Sequence, residues 1–201
     1  MSYDEFRGHK FWENLGISTK KSIDSEELLD LMFESGCKQV LIGLESPNES
    51  GLDKIEQRKN WKRDKYPYYE WAINKIQSRG VTVNGCFILG LDGDREEVFD
   101  NVYEFVKQTG LFEVQITVLT PFPGTPLYRR LKAEDRLIED KAWHKCTLFD
   151  INFIPKQMSV KTLERGMIEL SKKIYDRKFI EERQRKFFKG FRQRKLSLIT
   201  A

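Results

Sequence analysis

A strand-like segment followed by a helix-like segment recurs three times along residues 14–110, and a fourth strand-like segment follows. Links this short, in this alternation, call for parallel strands joined by right-handed crossovers. The first strand candidate is NLGIST at 14–19. In the first helix, Leu28, Leu31 and Met32 recur at helical spacing after Asp24, which with Glu27 suits a capping box, and Gly36 is placed to end it. KQVLIGLES follows. Its continuous Val40-Leu41-Ile42 run predicts a strand buried on both faces. PNESGLDKIEQRKNWKRDK is polar and reads as an outward loop. YPYYEWAINKIQSRG then predicts a helix stopped by Gly80, and VTVNGCFILGL a strand. DREEVFDNVYEFVKQTG predicts a helix opened by Asp94 and ended by Gly110, and LFEVQITVLTPF a last strand. A doubly wound sheet and an open or closed barrel both satisfy this order.

After Pro121 the rhythm changes. Thr125 and Pro126 suit the cap and first position of a short helix, residues 141–158 are irregular, and a long helix is expected from Ser159 towards Phe188. The division expected is a partial barrel over 1–135 and an irregular segment with a helical extension over 136–201.

Composition narrows the function classes. No run of about 18 apolar residues occurs, so no membrane-spanning helix is expected. MSYDEFRGHK lacks the apolar core of a signal peptide, and a cytoplasmic setting is the expectation. Cys37, Cys86 and Cys146 are too widely spaced for a disulfide framework or for a local cluster-binding loop. His9 and His144 have no second histidine at ligand spacing. The tail carries Lys178, Arg183, Arg185, Lys186, Lys189, Arg192, Arg194 and Lys195 among Phe179, Phe187, Phe188 and Phe191. That pattern suits nucleic acid, an anionic membrane surface, or a solvated helix that packs its phenylalanines on the domain; the last is expected, and nucleic acid is not.

Parallel α/β folds place their sites where strands end, and three stretches qualify. Glu45-Ser46 offers a carboxylate beside a hydroxyl, and reads equally as a strand end with a Ser-Pro turn. Gly85 to Gly90 offers two glycines for close backbone approach around Ile88, an apolar surface for a flat base; a tight turn capped by Asp94 explains it as well. Gln115 and Thr117 alternate along the last strand ahead of a loop stiffened by Pro121, Pro123 and Pro126. The tail is the fourth candidate.

Together ISTKKSIDSEELLDLMFESGCKQVLIGLESPNE, VNGCFILGLDGD and LTPFPGTPLYRRL resemble the third to sixth strands of radical S-adenosylmethionine (SAM) enzymes, especially those with an upstream cobalamin-binding domain. The resemblance implies an α/β fold, a partial (β/α) radical-SAM-type barrel of about four parallel strands with a helical C-terminal extension. It implies SAM and a [4Fe-4S] cluster as cofactors, cobalamin in some relatives, and a small-molecule substrate. By the same resemblance Glu45 and Ser46 face the ribose and methionyl part of SAM, Gly85, Ile88 and Gly90 bound the adenine, and Gln115 and Thr117 point into the barrel. The C-x-x-x-C-x-x-C run that holds the cluster has no counterpart here, so no catalytic or metal-ligating residue is assigned. The expectation is the C-terminal portion of a radical SAM enzyme, not catalytic alone. Its own segment MSYDEFRGHKFWENLG, a chain carrying the first half, or self-association would cover its open strand edge. The alternative is a non-catalytic binding or partner protein derived from such a barrel.

Overall fold

The computed structural model describes residues 25–53 and 61–199. The strand candidate at 14–19 and the cap Asp24 lie outside them. The elements are α1 (Ser25–Glu34), β1 (Gln39–Glu45), α2 (Glu49–Leu52), α3 (Trp61–Lys65), α4 (Tyr69–Ser78), β2 (Thr82–Leu89), α5 (Val98–Thr109), β3 (Glu113–Val118), α6 (Pro126–Ala133), α7 (Val160–Ile174) and α8 (Arg177–Ile199), with 3-10 turns at Tyr66–Tyr68 and Trp143–Lys145. Of about four strands expected, three fall within the described residues, as one parallel sheet in the order β1-β2-β3. Gly36, Gly80 and Gly110 adopt positive φ after α1, α4 and α5, as their stop positions required.

Alternation along the strands separates two faces. Ile42, Leu44, Val83, Phe87, Leu89, Val114, Ile116 and Val118 are buried in the core that the helices complete. Tyr69, Ala72, Ile73 and Ile76 of α4, Val102 and Val106 of α5, and Leu163, Leu170 and Ile174 of α7 supply the facing surface. A Cβ at Gly166 would lie 2.2 Å from the Phe99 ring, so α5 and α7 approach closely only because α7 has glycine there.

The second face carries Leu41, Gly43, Asn84, Cys86, Ile88, Gln115 and Thr117, paired across the sheet as Leu41 with Asn84, Gly43 with Cys86, Cys86 with Gln115, and Ile88 with Thr117. Most of it is half-buried, and Leu41 is 65% exposed. This corrects the expectation that the Val40–Ile42 run is buried on both faces. An apolar run reports composition, whereas the neighbours of Leu41 here are an amide and a glycine.

Edge strands leave backbone groups that need partners. On β3 the Tyr175 hydroxyl donates to the Val114 carbonyl at 3.2 Å and accepts from the Ile116 N–H at 3.4 Å, and the Leu148 carbonyl accepts from the Val118 N–H at 2.8 Å. Tyr175 can do this because α7 stops there. The expected single helix from Ser159 to Phe188 is in fact two: the Ser159 hydroxyl caps α7 at the Thr162 N–H, and Asp176 caps α8 by accepting from the Phe179 N–H. Arg183 ties the two together, donating to the carbonyls of Ile174 and Leu111. In the tail, Phe187 is buried, Phe191 packs against Phe33, and Lys186 donates to the Gln108 carbonyl at the end of α5. These contacts are those of a helix docked on the domain.

Tyr175→Phe leaves two edge groups of β3 without this partner. It is expected to lower the unfolding free energy by about 1–2 kcal/mol, read as a lower urea midpoint at unchanged slope. An unchanged midpoint would show that water serves the edge equally well.

Candidate functional site

At the carboxyl end of β1 the register slips between Gly43 and Glu45, and Glu45 takes a φ of 65°, a left-handed conformation uncommon for a residue with a side chain. The slip aims the Glu45 carboxylate back over Gly43, where Lys62 of α3 meets it in an ion pair. Lys62 also donates to the Gly43 carbonyl at 3.1 Å. A Cβ on Gly43 would stand 2.6 Å from Glu45 Oε1 and 3.3 Å from Lys62 Nζ, so the pair lies on the strand because glycine vacates the space. The stretch read as an outward loop thus returns a cation to the sheet. Nothing local signals that, because the partners are seventeen positions apart.

Beyond the pair lie Cys86, whose thiol donates to Gln115 Oε1 at 3.6 Å, and Asn84, whose Oδ1 is buried without a partner. Burial, and then the Glu45 carboxylate, push the Cys86 thiol up to about 11. Cys86 is therefore neutral at physiological pH, neither nucleophile nor ready metal ligand. Ile88 is half-buried further along β2 on this face, and Thr117 is buried beside it, its hydroxyl donating to the Phe87 carbonyl. An apolar side chain, two amides and a carboxylate–ammonium pair on one open face can bind a flat polar molecule by its surface and edges.

Four of the seven predicted site residues share that face: Glu45, Ile88, Gln115 and Thr117. The other three turn elsewhere. Ser46 is fully buried, and its hydroxyl accepts from the Asn48 N–H. Gly85 belongs to the helix-covered face, where a Cβ would meet Leu111 and Leu44 at 2.7 and 2.9 Å. Gly90, at φ 87°, makes room for Phe153 at 2.6 Å and Leu163 at 3.0 Å. Core packing accounts for both glycines, and strand parity separates Gly85 from Ile88.

Of the two parts expected of Asp94, it takes one, capping the tight turn after β2. It does not open α5, which begins at Val98. It folds back, and Oδ2 accepts from the N–H groups of Gly90 and Leu91, both at 3.0 Å. Oδ1 is buried without a partner, against Gly51 and beside the Ser46 hydroxyl. Burial outweighs the two backbone bonds and lifts this carboxyl to about 7. Two residues away, burial would raise Asp92, yet hydrogen bonds from Arg130, Lys156 and Arg136 hold it below the usual carboxylate range.

No group of histidine, cysteine and acidic residues able to hold a metal ion occurs among the described residues, which include all three cysteines. A [4Fe-4S] cluster does not fit the residues described.

Parallel strands with helices on one face and a polar, half-open second face define part of a (β/α) barrel of the kind that holds a ligand at its strand ends. The chain belongs to the radical SAM superfamily, whose family model matches residues 3–106. A domain of unknown function (DUF4070) matches residues 125–198. The partial barrel with a helical C-terminal part, expected from the sequence, is what the structure contains. Among similar curated proteins is the bacteriochlorophyllide d C-12(1)-methyltransferase of Chlorobaculum tepidum, 29% identical over 76% of this chain and 32% of its own length. The hopanoid C-2 methylase of Rhodopseudomonas palustris is 32% identical over 57% of this chain and 21% of its own. An anaerobic magnesium-protoporphyrin IX monomethyl ester cyclase of Rubrivivax gelatinosus is 22% identical over 75% and 25%. The chain spans about a third or less of the length of these relatives. No helix among the described residues is long and apolar enough to cross a membrane.

Two measurements test the site's electrostatics. Between about pH 4 and pH 7 the folded chain keeps a proton on Asp94 that the unfolded chain has lost, so this group makes stability fall as pH rises through that window. Asp94→Asn keeps an oxygen for Gly90 and Leu91 and is expected to flatten the decline, by at most a few kcal/mol; parallel stability–pH curves for the two proteins would refute the assignment. Cys86, with its raised pKa, is expected to react with iodoacetamide at pH 8 roughly a hundredfold more slowly than an unperturbed thiol. Peptide mapping reads this directly, and labelling of Cys86 at the unperturbed rate would contradict it.

Proposed function

We propose that this chain forms the substrate side and part of the SAM pocket of a radical SAM enzyme that transfers a methyl group or closes a ring at an unactivated carbon, and that it is not catalytic alone. The half-open polar face carrying Glu45, Lys62, Ile88 and Gln115 supports this reading most directly. SAM, when bound in the complete enzyme, supplies the 5′-deoxyadenosyl radical or a methyl group. Toward it, Ile88 would pack on the adenine plane, and Gln115 and the unpartnered Asn84 Oδ1 would serve its polar edge. Glu45, already neutralised by Lys62, would accept from ribose hydroxyls. The names of the similar methyltransferases and of the cyclase support the reaction class. The absence of a cluster-ligating set among this chain's cysteines supports the lack of independent catalysis.

The exposed Leu41 on the same face favours a second reading, a partner protein that docks this sheet on another chain without taking part in chemistry. Only the first reading requires SAM to bind.

The isolated chain, reconstituted anaerobically with iron and sulfide and then reduced in the presence of SAM, is expected to form no 5′-deoxyadenosine above the blank. Sustained formation would overturn the proposal. SAM binding that weakens on Gln115→Ala favours the first reading; a co-purified chain without any SAM affinity favours the second.

A further inference from the structure

A cavity of about 730 Å³ opens at the carboxyl ends of the strands, between the loops that follow β1, β2 and β3. Its cationic wall is Arg130 of α6 and Lys156, with Asp92 between them. Arg130 and Lys156 both contact Asp92 Oδ2, Lys156 at 3.1 Å, and Arg136 contacts Oδ1 at 3.0 Å from behind the wall. Three cations thus converge on one carboxylate. Glu134 shares Arg136, at 2.7 Å, but no other acid is paired with Arg130 or Lys156 among the described residues.

The donor count sharpens the imbalance. Two guanidinium groups and an ammonium bring about thirteen N–H donors, and a carboxylate offers about four acceptor positions. The Ile154 carbonyl takes Arg136 Nε, and Glu134 and Asp92 take Nη1, while Arg136 Nη2 is buried with no acceptor. The amino end of α6, capped by Thr125 with Pro126 in the first turn, lies on the same cavity and adds the positive end of its dipole. Asp53 lies on the cavity too, but Arg63 holds it at 3.0 Å. The electrostatic asymmetry therefore orients a charged guest: its anionic end belongs against Arg130 and Lys156, away from Asp53.

We propose that this cavity binds the acidic group, carboxylate or phosphate, of an organic small molecule between Arg130 and Lys156. The guest is the substrate if the preceding functional reading holds, and the anion site rests on that reading only for this identity. Asp92 holds the two cations in place and competes with the guest for their donors. Recognition is by charge and by oxygen acceptors, so a neutral analogue of the same shape is rejected.

Isothermal titration of the full chain at low ionic strength tests this, with inorganic pyrophosphate and with succinate as separate probes. Saturable binding of at least one is expected, and which one binds tells phosphate from carboxylate. Arg130→Gln combined with Lys156→Gln is expected to weaken it by at least about tenfold, near 1.4 kcal/mol. Asp92→Asn, which removes the competing charge, is expected to tighten it. Circular dichroism checks that each variant is folded; if Asp92→Asn does not fold, the double variant decides. Failure of the folded wild type to bind either probe, or equal affinity in the double variant, overturns the proposal and shows the three cations to be struts between α6 and the following segment. Neither readout involves SAM or a cluster, so a failure of the radical SAM assignment leaves this result separately legible.

Discussion

The whole arrangement depends on a sheet that buries one face and not the other. Apolar side chains at alternate positions of β1, β2 and β3 drive α4, α5 and α7 onto one side. At about 25 cal/mol per Å² of apolar area, that contact dominates any polar contribution. Burial of this kind fixes strand parity, since a slip of one residue would carry every inward side chain outward. Once parity is set, Asn84, Cys86, Ile88 and Gln115 have no choice but to share the other face. For these four residues the shared face is thus a by-product of core packing, and the Glu45–Lys62 ion pair is added to it from a different segment.

Where the strand pattern yields, it does so at the site. The irregularity after Gly43 and the left-handed Glu45 are the one break in the ladder between β1 and β2. A regular strand would send Glu45 along the sheet, away from Lys62. The slip costs backbone regularity, and the ion pair and the Gly43 carbonyl contact offset it. Such strain persists only when surrounding contacts over-determine it, and here the missing Cβ of Gly43 and the reach of Lys62 do so.

The sequence made the architecture legible because periodicity is local. Helix stops at Gly36, Gly80 and Gly110, the caps at Thr125 and Ser159, and the alternation of elements all follow from near neighbours. What escaped it is non-local. Lys62 returns from a polar stretch with no periodic signal. Tyr175, at the end of α7, reaches the edge of β3 at partners 59 and 61 positions away in sequence. Gly85 and Gly90 are ligand-facing only by the family resemblance, and a glycine can be required by a neighbour on either side of the chain. In Gly85 the neighbour is Leu111, and in Gly90 it is Phe153, both in connecting segments whose approach no spacing rule foretells.

The loop after β2 shows how far two identical residue types can be driven apart. Asp92 and Asp94 are separated by one glycine. Asp92 looks into the cavity, where three cations stabilise its charge against burial. Asp94 looks into the core, where two backbone N–H groups are all that oppose desolvation, and its charge is disfavoured up to neutral pH. Gly93 permits the divergence: its Cα lies so close to the Ser50 carbonyl that a Cβ would stand 1.9 Å from the oxygen. That contact binds the β1 and β2 loops into one wall, with Asp94 as its internal fastening and Asp92 as its external face. A change at Asp94 should therefore register as stability and a change at Asp92 as ligand affinity. The two readouts separate scaffold from recognition within three residues of chain.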